Sequence, residues 1–415
     1  MSILNVNQIQ PVGSGQTVTI SAANITASSS TISASSFVGG VTVTSGNLTG
    51  ISSVSTTNLT VNGNAYPNAG PLSNRNLIIN GSMQVAQRGT SDTGFTSSSY
   101  MADRFRINVS NMGTWDGANS STSPSGFTNS CRFDCTTADA SPAAADFVNF
   151  KQIFEGQNLQ HLKYGTASAE SLTLSFWVRS NKTGTYTVEL DRENADFNSI
   201  SYSISSADTW EYKTVTFSGL TSSSIPNDNT EGLKINWWLG GGSNYSSGTQ
   251  TNNTWHTTTA NRLASGQVNL ADSTSNEWYI TGVQLETGSV ATPFEHRSYG
   301  DELARCQRYY YKLSAASNDR YFMGLAENST VFYGVMHSPV TMRTDPTLET
   351  SGTATHFKLA YSTDTTCNAL PTLANSTQNT ALIGGAIVAS GLTANQAVML
   401  ASNSASSYLA LTAEL

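Results

Sequence analysis

The amino-acid sequence predicts an all-β protein in three regions: a slender N-terminal β-stem, a central β-sandwich of jelly-roll type, and a small β-rich C-terminal tip joined by a short linking helix. Three observations predict this. Apolar and polar residues alternate with period 2 in segments bounded by Gly, Asn, Ser and Pro. Only 12% of residues are charged, and Ser, Thr, Asn and Gly take the place of the missing charges. No Lys, Arg, His, Asp or Glu occurs before Arg75. The expected boundaries are residues 1–75, 76–299 and 300–415.

At 415 residues the chain is long enough to build more than one core. Its net charge of -8 provides no general pull toward phosphate backbones or anionic lipid, so neither nucleic acid nor membrane is an expected partner. No apolar run approaches the length of a transmembrane helix, and Met1-Ser2-Ile3-Leu4-Asn5 lacks the basic start of a signal peptide. Folding in a cytoplasm is therefore expected. Cys131 and Cys135 on one strand would stand about 13 Å apart, beyond disulfide reach.

In the first region, Val18, Ile20, Val41, Val43, Leu59 and Val61 are set singly among Ser, Thr, Asn and Gly. Two readings fit: a disordered linker, or a β-stem whose thin apolar stripe is completed by other copies of the chain. The β-branched character of the stripe favours the stem. Three chains around one axis would also account for the missing charge, since an ion facing that axis would be buried beside its copies.

The second region carries the strongest alternation. Leu172 to Arg179, Thr185 to Leu190, Tyr212 to Phe217 and Trp278 to Leu285 each read as a strand. Ser298 with Asp301 three residues on reads as a helix start, with Leu303, Cys306 and Tyr310 on one face. Among Tyr309, Tyr310 and Tyr311, at least one ring is expected at a surface or subunit contact. Beyond them, Arg320 to Val340, Phe357 to Ser362, Leu382 to Leu400 and Ser407 to Leu415 read as strands of a tip.

Catalytic motifs are scarce. Gly240-Gly241-Gly242 has no following Lys-Ser/Thr and reads as a turn, not a nucleotide loop, and the five histidines stand apart without a zinc spacing. No cofactor is expected. Asp191, Glu193 and Asp196 are oxygen donors at a spacing that could hold Ca²⁺, but the sharp-turn Gly and terminal Glu of a calcium loop are missing, so a solvated turn is the default. Aromatic residues are more informative, because an aromatic ring under the C–H face of a sugar, ringed by hydrogen-bonding groups, makes a lectin-like site. Trp177 and Trp278 fall in strand patterns and are assigned to the core. Trp115, Tyr245 and Trp255 lie in polar segments rich in Gly, Ser and Asn and are candidate carbohydrate-binding residues. Tyr333, His337 and Arg343 are the candidates in the tip.

Asn76-Leu77-Ile78-Ile79-Asn80-Gly81-Ser82-Met83-Gln84, Tyr100-Met101-Ala102-Asp103-Arg104-Phe105, Ser175-Phe176-Trp177-Val178-Arg179, Gly282-Val283-Gln284-Leu285-Glu286, Ala291-Thr292-Pro293-Phe294-Glu295 and Glu302-Leu303-Ala304-Arg305-Cys306 occur in this order. Together they resemble the carbohydrate-binding-module-like jelly roll of tail-fibre and tail-tip adhesins of tailed bacteriophages, over residues 76–311. The resemblance implies a virion adhesin and not an enzyme; with the uncharged stem and the N-terminus read above, a homotrimeric fibre assembled in the host cytoplasm is expected. Its N-terminus would dock on other tail or baseplate proteins, and its partner on the host would be surface polysaccharide or lipopolysaccharide. Recognition is expected in the tip, farthest from the N-terminal attachment. A polysaccharide-degrading tail spike and a purely structural virion decoration or adaptor are the competing readings.

Overall fold

The structure, a computed structural model, describes residues 74–415 and the backbone of a hairpin formed by β1 (Leu59–Val61) and β2 (Asn64–Tyr66). Apart from this hairpin, Asn74 and Arg75, the stem expected over residues 1–75 lies outside the described residues.

The next strands are β3 (Ser91–Phe95), β4 (Ser99–Ala102), β5 (Phe105–Ser110), β6 (Thr114–Ser120), β7 (Ser130–Thr137) and β8 (Phe147–Glu155). They are followed by β9 (Leu172–Ser180), β10 (Gly184–Arg192), β11 (Asp196–Ile204), β12 (Glu211–Phe217) and β13 (Glu231–Gly241). A one-turn helix, α1 (Ser243–Ser246), and the short β14 (Trp255–His256) precede β15 (Glu277–Thr287). Two antiparallel sheets result, ordered β14-β11-β10-β13-β8-β5-β4 and β12-β9-β15-β7-β6-β3. The strands read from alternation all fall on strands here.

The inward faces close a single aromatic-rich core in which Trp115, Phe133, Phe150, Phe176, Trp237 and Trp278 are buried. Phe105 stacks on Phe150 at 5.1 Å, and Phe176 meets Trp237 edge-on at 5.7 Å. Such offset and edge contacts add to the area term that drives a sandwich together. Several of the residues that carry the family resemblance staple the start of this region to β15. Asn76 Nδ2 donates to Val283 O at 3.2 Å, while Asn76 Oδ1 accepts from Leu285 N at 3.0 Å. Glu286 accepts from Thr292 N and Oγ1 at 2.8 and 2.7 Å. At Gly282 (φ +62) the β15 register shifts by a bulge, and a Cβ there would press on the rings of Phe127 and Trp177.

The linking helix α2 (Tyr299–Gln307) starts as read: Ser298 Oγ accepts from Asp301 N. After it come β16 (Tyr310–Ser314), β17 (Arg320–Ala326), β18 (Val331–His337), β19 (Thr347–Thr350) and β20 (Phe357–Ala360). The chain ends through β21 (Thr365–Thr366), β22 (Thr372–Ser376), β23 (Thr380–Ala386), β24 (Ala397–Ser402) and β25 (Tyr408–Thr412). A sheet ordered β21-β20-β24-β17-β18-β23-β22 packs its inner face, with Phe332, Met336, Ile383, Val398 and Leu400, on the small sheet β16-β25-β19.

Ionic contacts tie this second sandwich to the first. Glu155 on β8, fully buried, accepts from Arg308 Nε and Nη2 at 2.7 Å each and from Tyr309 Oη at 2.5 Å. Glu414 pairs with Arg88 at 3.1 Å and with Arg104. In the tyrosine run, Tyr309 and Tyr310 are buried in this junction, under Arg104 and Arg88 respectively, and Tyr311 packs on the second core while keeping part of its ring at the surface. Gly240 and Gly241, by contrast, are not a turn, since they extend β13 and pair with Val148 and Phe147.

Candidate functional site

The seven-stranded sheet of the first sandwich has a second, polar face. Alternation along β13 sends Leu233, Ile235, Trp237 and Leu239 into the core and Lys234, Asn236 and Trp238 to the opposite side. Strand register extends this pattern into two rows: Arg106, Lys151, Asn236, Glu189 and Ser199, then Asn108, Asn149, Trp238, Thr187 and Ser201.

Part of this face is covered by the segment that follows β13. Gly242 N donates to Asp146 O at 2.8 Å, Asn244 N to Ala144 O at 2.9 Å, and Ala264 N to Thr187 Oγ1 at 3.1 Å. Arg262 anchors the segment from above. Its guanidinium donates to Glu189 at 2.9 and 2.5 Å and to Asp191 at 2.8 Å, and lies 5.0 Å from the Trp238 ring centroid. Between the segment and the strands remains a groove of about 180 Å³, whose lining includes Phe147, Asn149, Lys151, Asn236, Trp238 and Tyr245.

One wall of the groove is aromatic. Tyr245 lies 5.2 Å from Trp238 and 5.6 Å from Phe147, ring centre to ring centre. Trp238 is buried and forms the floor, whereas Tyr245 and Phe147 are half-exposed. The remaining wall is polar, and some of its groups lack protein partners. The side-chain oxygens of Asn149 and Asn236, Trp238 Nε1 and Arg106 Nε are buried without a hydrogen bond. A buried polar atom left unpaired costs free energy; Asn149, Asn236 and Trp238 line the groove, while Arg106 stands beside it, opposite Lys151 in register.

The groove is also charged. Burial, with Arg106 and Lys234 nearby, pushes the Lys151 ammonium down to about 7. Burial and the neighbouring Glu189 raise the Asp191 carboxyl above the usual range, against the opposing pull of Lys234 and Arg262. Every oxygen of these two carboxylates is nevertheless engaged. Glu189 accepts from Arg262, Asn236 and Ser199, and Asp191 accepts from Arg262 and Asn194 N and forms an ion pair with Lys234 at 3.3 Å. They hold the covering segment in place.

Of the residues singled out in the sequence, the structure places Tyr245 in this groove. Trp115 is on β6 instead of a loop, fully buried, with Nε1 donating to Met112 O at 2.8 Å; its ring belongs to the core because β6 is paired on both sides. Trp255 is half-buried against Tyr164, and its Nε1 donates to Ser218 O at 2.7 Å. Arg343 is a structural tie, donating to Ala413 O, Glu414 O and Asn229 O at 2.7, 2.7 and 2.9 Å. Asp191, Glu193 and Asp196 do not converge: Glu193 and Asp196 both pair with Arg192, and Asp191 points at Arg262 and Lys234. Arg106, Asn149, Lys151, Lys234, Asn236 and Trp238 were not singled out. For Lys234, Asn236 and Trp238 the signal was available in the Lys-x-Asn-x-Trp alternation within Leu233 to Leu239.

Tyr333 and His337 lie elsewhere, on the outer face of the large C-terminal sheet. There Met323, Leu325, Val335, Leu382 and Met399 are exposed on four adjacent strands, and Leu325 is opposite Tyr333 in register. An apolar sheet face of this kind marks an interaction surface.

No protein-family model and no curated protein matches the chain. Among solved structures, 54% of the chain is similar to the enzymatically active domain of bacteriophage CBA120 tailspike protein 4, at 14% identity and a TM-score of 0.26; the match spans 24% of that chain. For TmCBM61, solved with β-1,4-galactotriose, the match covers 51% of this chain and 99% of that one, at 10% identity and a TM-score of 0.26. For the family 11 carbohydrate-binding module of Clostridium thermocellum, solved with a β-1,3-1,4-mixed-linked tetrasaccharide, it covers 49% of this chain and 98% of that one, at 9% identity and a TM-score of 0.23.

Proposed function

We propose that the chain is a homotrimeric tail-fibre adhesin of a tailed bacteriophage that binds host-surface glycans through the groove on its first sandwich, without cleaving them. One observation carries the glycan reading: Tyr245 and Phe147 stand half-exposed beside buried, unpartnered side-chain oxygens of Asn149 and Asn236. An aromatic wall accepts the C–H face of a sugar, and unpaired acceptors take its hydroxyls. The tail-fibre assignment rests on the ordered motifs from Asn76 to Cys306. This reading moves recognition from the tip to the central sandwich. The outer apolar face around Tyr333 and Leu325 is assigned to contact between subunits.

Binding without hydrolysis is favoured by the saturation of Glu189 and Asp191, since a glycosidase needs two carboxylates free to reach the scissile bond. The test combines adsorption with chemistry. Purified full-length protein should block phage adsorption to host cells, and the Tyr245→Ala variant should block it poorly. Incubation with capsule or lipopolysaccharide should release no new reducing ends. Equal blocking by wild type and Tyr245→Ala removes the groove from recognition, and new reducing ends make the protein a tail-spike enzyme.

A further inference from the structure

Lys151 and Arg106 are directly opposite one another on β8 and β5, on the face that forms the groove. Like charges in register across strands repel. The carboxylates that would relieve them are already committed: Glu231 and Asp191 form ion pairs with Lys234, and Asp191 with Arg262 as well. Among the described residues no carboxylate lies within ion-pair distance of Lys151 or Arg106, and Arg106 Nε is buried with no acceptor at all. A solvated pair of basic side chains would need no explanation, but neither of these is fully exposed, and Lys151 lines the enclosed groove beside Asn149 and Asn236. Lys151, Lys234 and Arg262 line the groove against the single carboxylate of Asp191, which Lys234 and Arg262 already occupy, and Arg106 faces Lys151 from the next strand, so the excess of cations leaves room for an anion.

We infer that the groove is selective for an acidic sugar, a residue carrying a carboxylate or a phosphate, with the anionic group seated between Lys151 and Arg106 and the ring against Tyr245. This deepens the glycan-binding reading and rests on it. The division of labour follows from the geometry. Asn149 and Asn236 present acceptors to hydroxyl groups, Trp238 Nε1 presents a donor from the floor, and the two cations supply the charge complement. The depressed proton affinity of Lys151 fits the same arrangement: burial, then the neighbouring Arg106 and Lys234, lower it, and an anion seated beside the ammonium would raise it again.

The experiment is titration calorimetry of the full-length chain with oligogalacturonate and oligoglucuronate, their methyl esters, and glucose 6-phosphate against glucose. A methyl ester preserves shape and removes the charge. At least one acid form should bind about 10-fold or more tightly than its uncharged counterpart, and Lys151→Met should erase that margin while leaving binding of the neutral form in place. Arg106→Gln should narrow it. A margin for glucose 6-phosphate alone assigns the pocket to phosphate, and a margin for the uronates alone assigns it to carboxylate; both support the inference. Equal binding of acid and ester, with both lost in Tyr245→Ala, overturns acid selectivity and leaves glycan binding intact. Acid selectivity that survives Lys151→Met overturns the placement. No binding of any saccharide overturns both readings. Because Met replaces an unpaired cation by an apolar chain of similar length, a folding defect is not expected, and a melting transition no lower than that of wild type would confirm that lost binding is local.

Discussion

Replacing Lys151 with Met should make the protein more stable at low pH, and the size of the gain follows from the groove. The Lys151 ammonium falls from 10.5 to about 7 on folding, so the folded state resists the charge that the unfolded chain carries freely. At about 1.4 kcal/mol per tenfold change in proton affinity, the drop corresponds to about 5 kcal/mol, and water at the groove mouth reduces the effective cost to about 2–3 kcal/mol. The groups facing Lys151 are Arg106 on β5, Lys234 and Glu231 on β13 and Asp191 on β10, and the two carboxylates offset only part of the burial penalty. Below about pH 7 both folded and unfolded chains hold the proton and the whole penalty is present. Between about 7 and 10.5 the unfolded chain binds more protons than the folded one, so wild-type stability rises with pH. Urea denaturation of full-length wild type and Lys151→Met at pH 6, 8 and 10, at one protein concentration, measures this directly. The advantage of Lys151→Met should be largest at pH 6 and shrink by about 2 kcal/mol or more toward pH 10. A difference that is flat with pH, or grows as pH rises, would show that Lys151 is not a strained cation.

Three further substitutions probe the junction, the groove wall and the apolar face. Glu155→Gln breaks a buried bidentate pair and should cost about 3–5 kcal/mol in chemical denaturation. Burial raises the Glu155 carboxyl, but hydrogen bonds from Arg308 and Tyr309 outweigh it and hold it below its ordinary range; wild type should therefore keep this contribution above pH 4.5 and lose it as pH falls through the lowered value, while Glu155→Gln shows no such loss. Tyr245→Ala should weaken saccharide binding about 10-fold by calorimetry, the worth of one lost aromatic contact, with little change in melting because the ring is half-exposed. Leu325→Glu, at a side chain 56% exposed, should leave the fold unchanged and shift light scattering from trimer toward monomer. An unchanged oligomer would release the apolar sheet face from the proposed subunit contact.

What could be read from the sequence depended on whether a strand shows water one face. Along β12 (Glu211–Phe217), exposed and shielded residues alternate, and the period-2 signal is plain. On β13 nearly every residue is buried, since the core covers one side and the segment carrying Tyr245 and Arg262 covers the other. Trp237 and Trp238 therefore look alike in sequence, although one belongs to the core and the other floors the groove. Trp115 misleads in the opposite sense: Gly, Asp and Asn neighbours suggest a loop, yet β6 is paired on both sides and turns the ring inward. Arg343, shortly before the Asp345-Pro346 turn signal in sequence, gains its role only from three carbonyls contributed by Asn229, Ala413 and Glu414. The groove is assembled from β5, β8, β10, β13 and the segment after it, and no local window contains such a set.

A groove of about 180 Å³ is small beside the roughly 300–1,000 Å³ of typical ligand pockets, and it has room for little more than one sugar residue. Its affinity for a single glycan chain must then be modest, because few atoms are buried and the polar wall must first shed its water. On the proposed trimer that weakness has a use. Three sites carried on one fibre make the second and third contacts intramolecular, and an effective concentration of about millimolar order multiplies weak binding by about 10² to 10⁴. The gain requires fixed spacing, and the Glu155, Arg308 and Tyr309 cluster with the Arg343 ties supplies it by locking the sandwich that bears the groove to the sandwich that bears the apolar face. Selectivity for acidic sugar and attachment by multivalency are thereby separate properties: the first resides in Lys151 and Arg106, the second in the junction and the subunit face. Lys151→Met should weaken adsorption without altering assembly, and Leu325→Glu should abolish durable adsorption while leaving the single-site affinity measured by calorimetry unchanged.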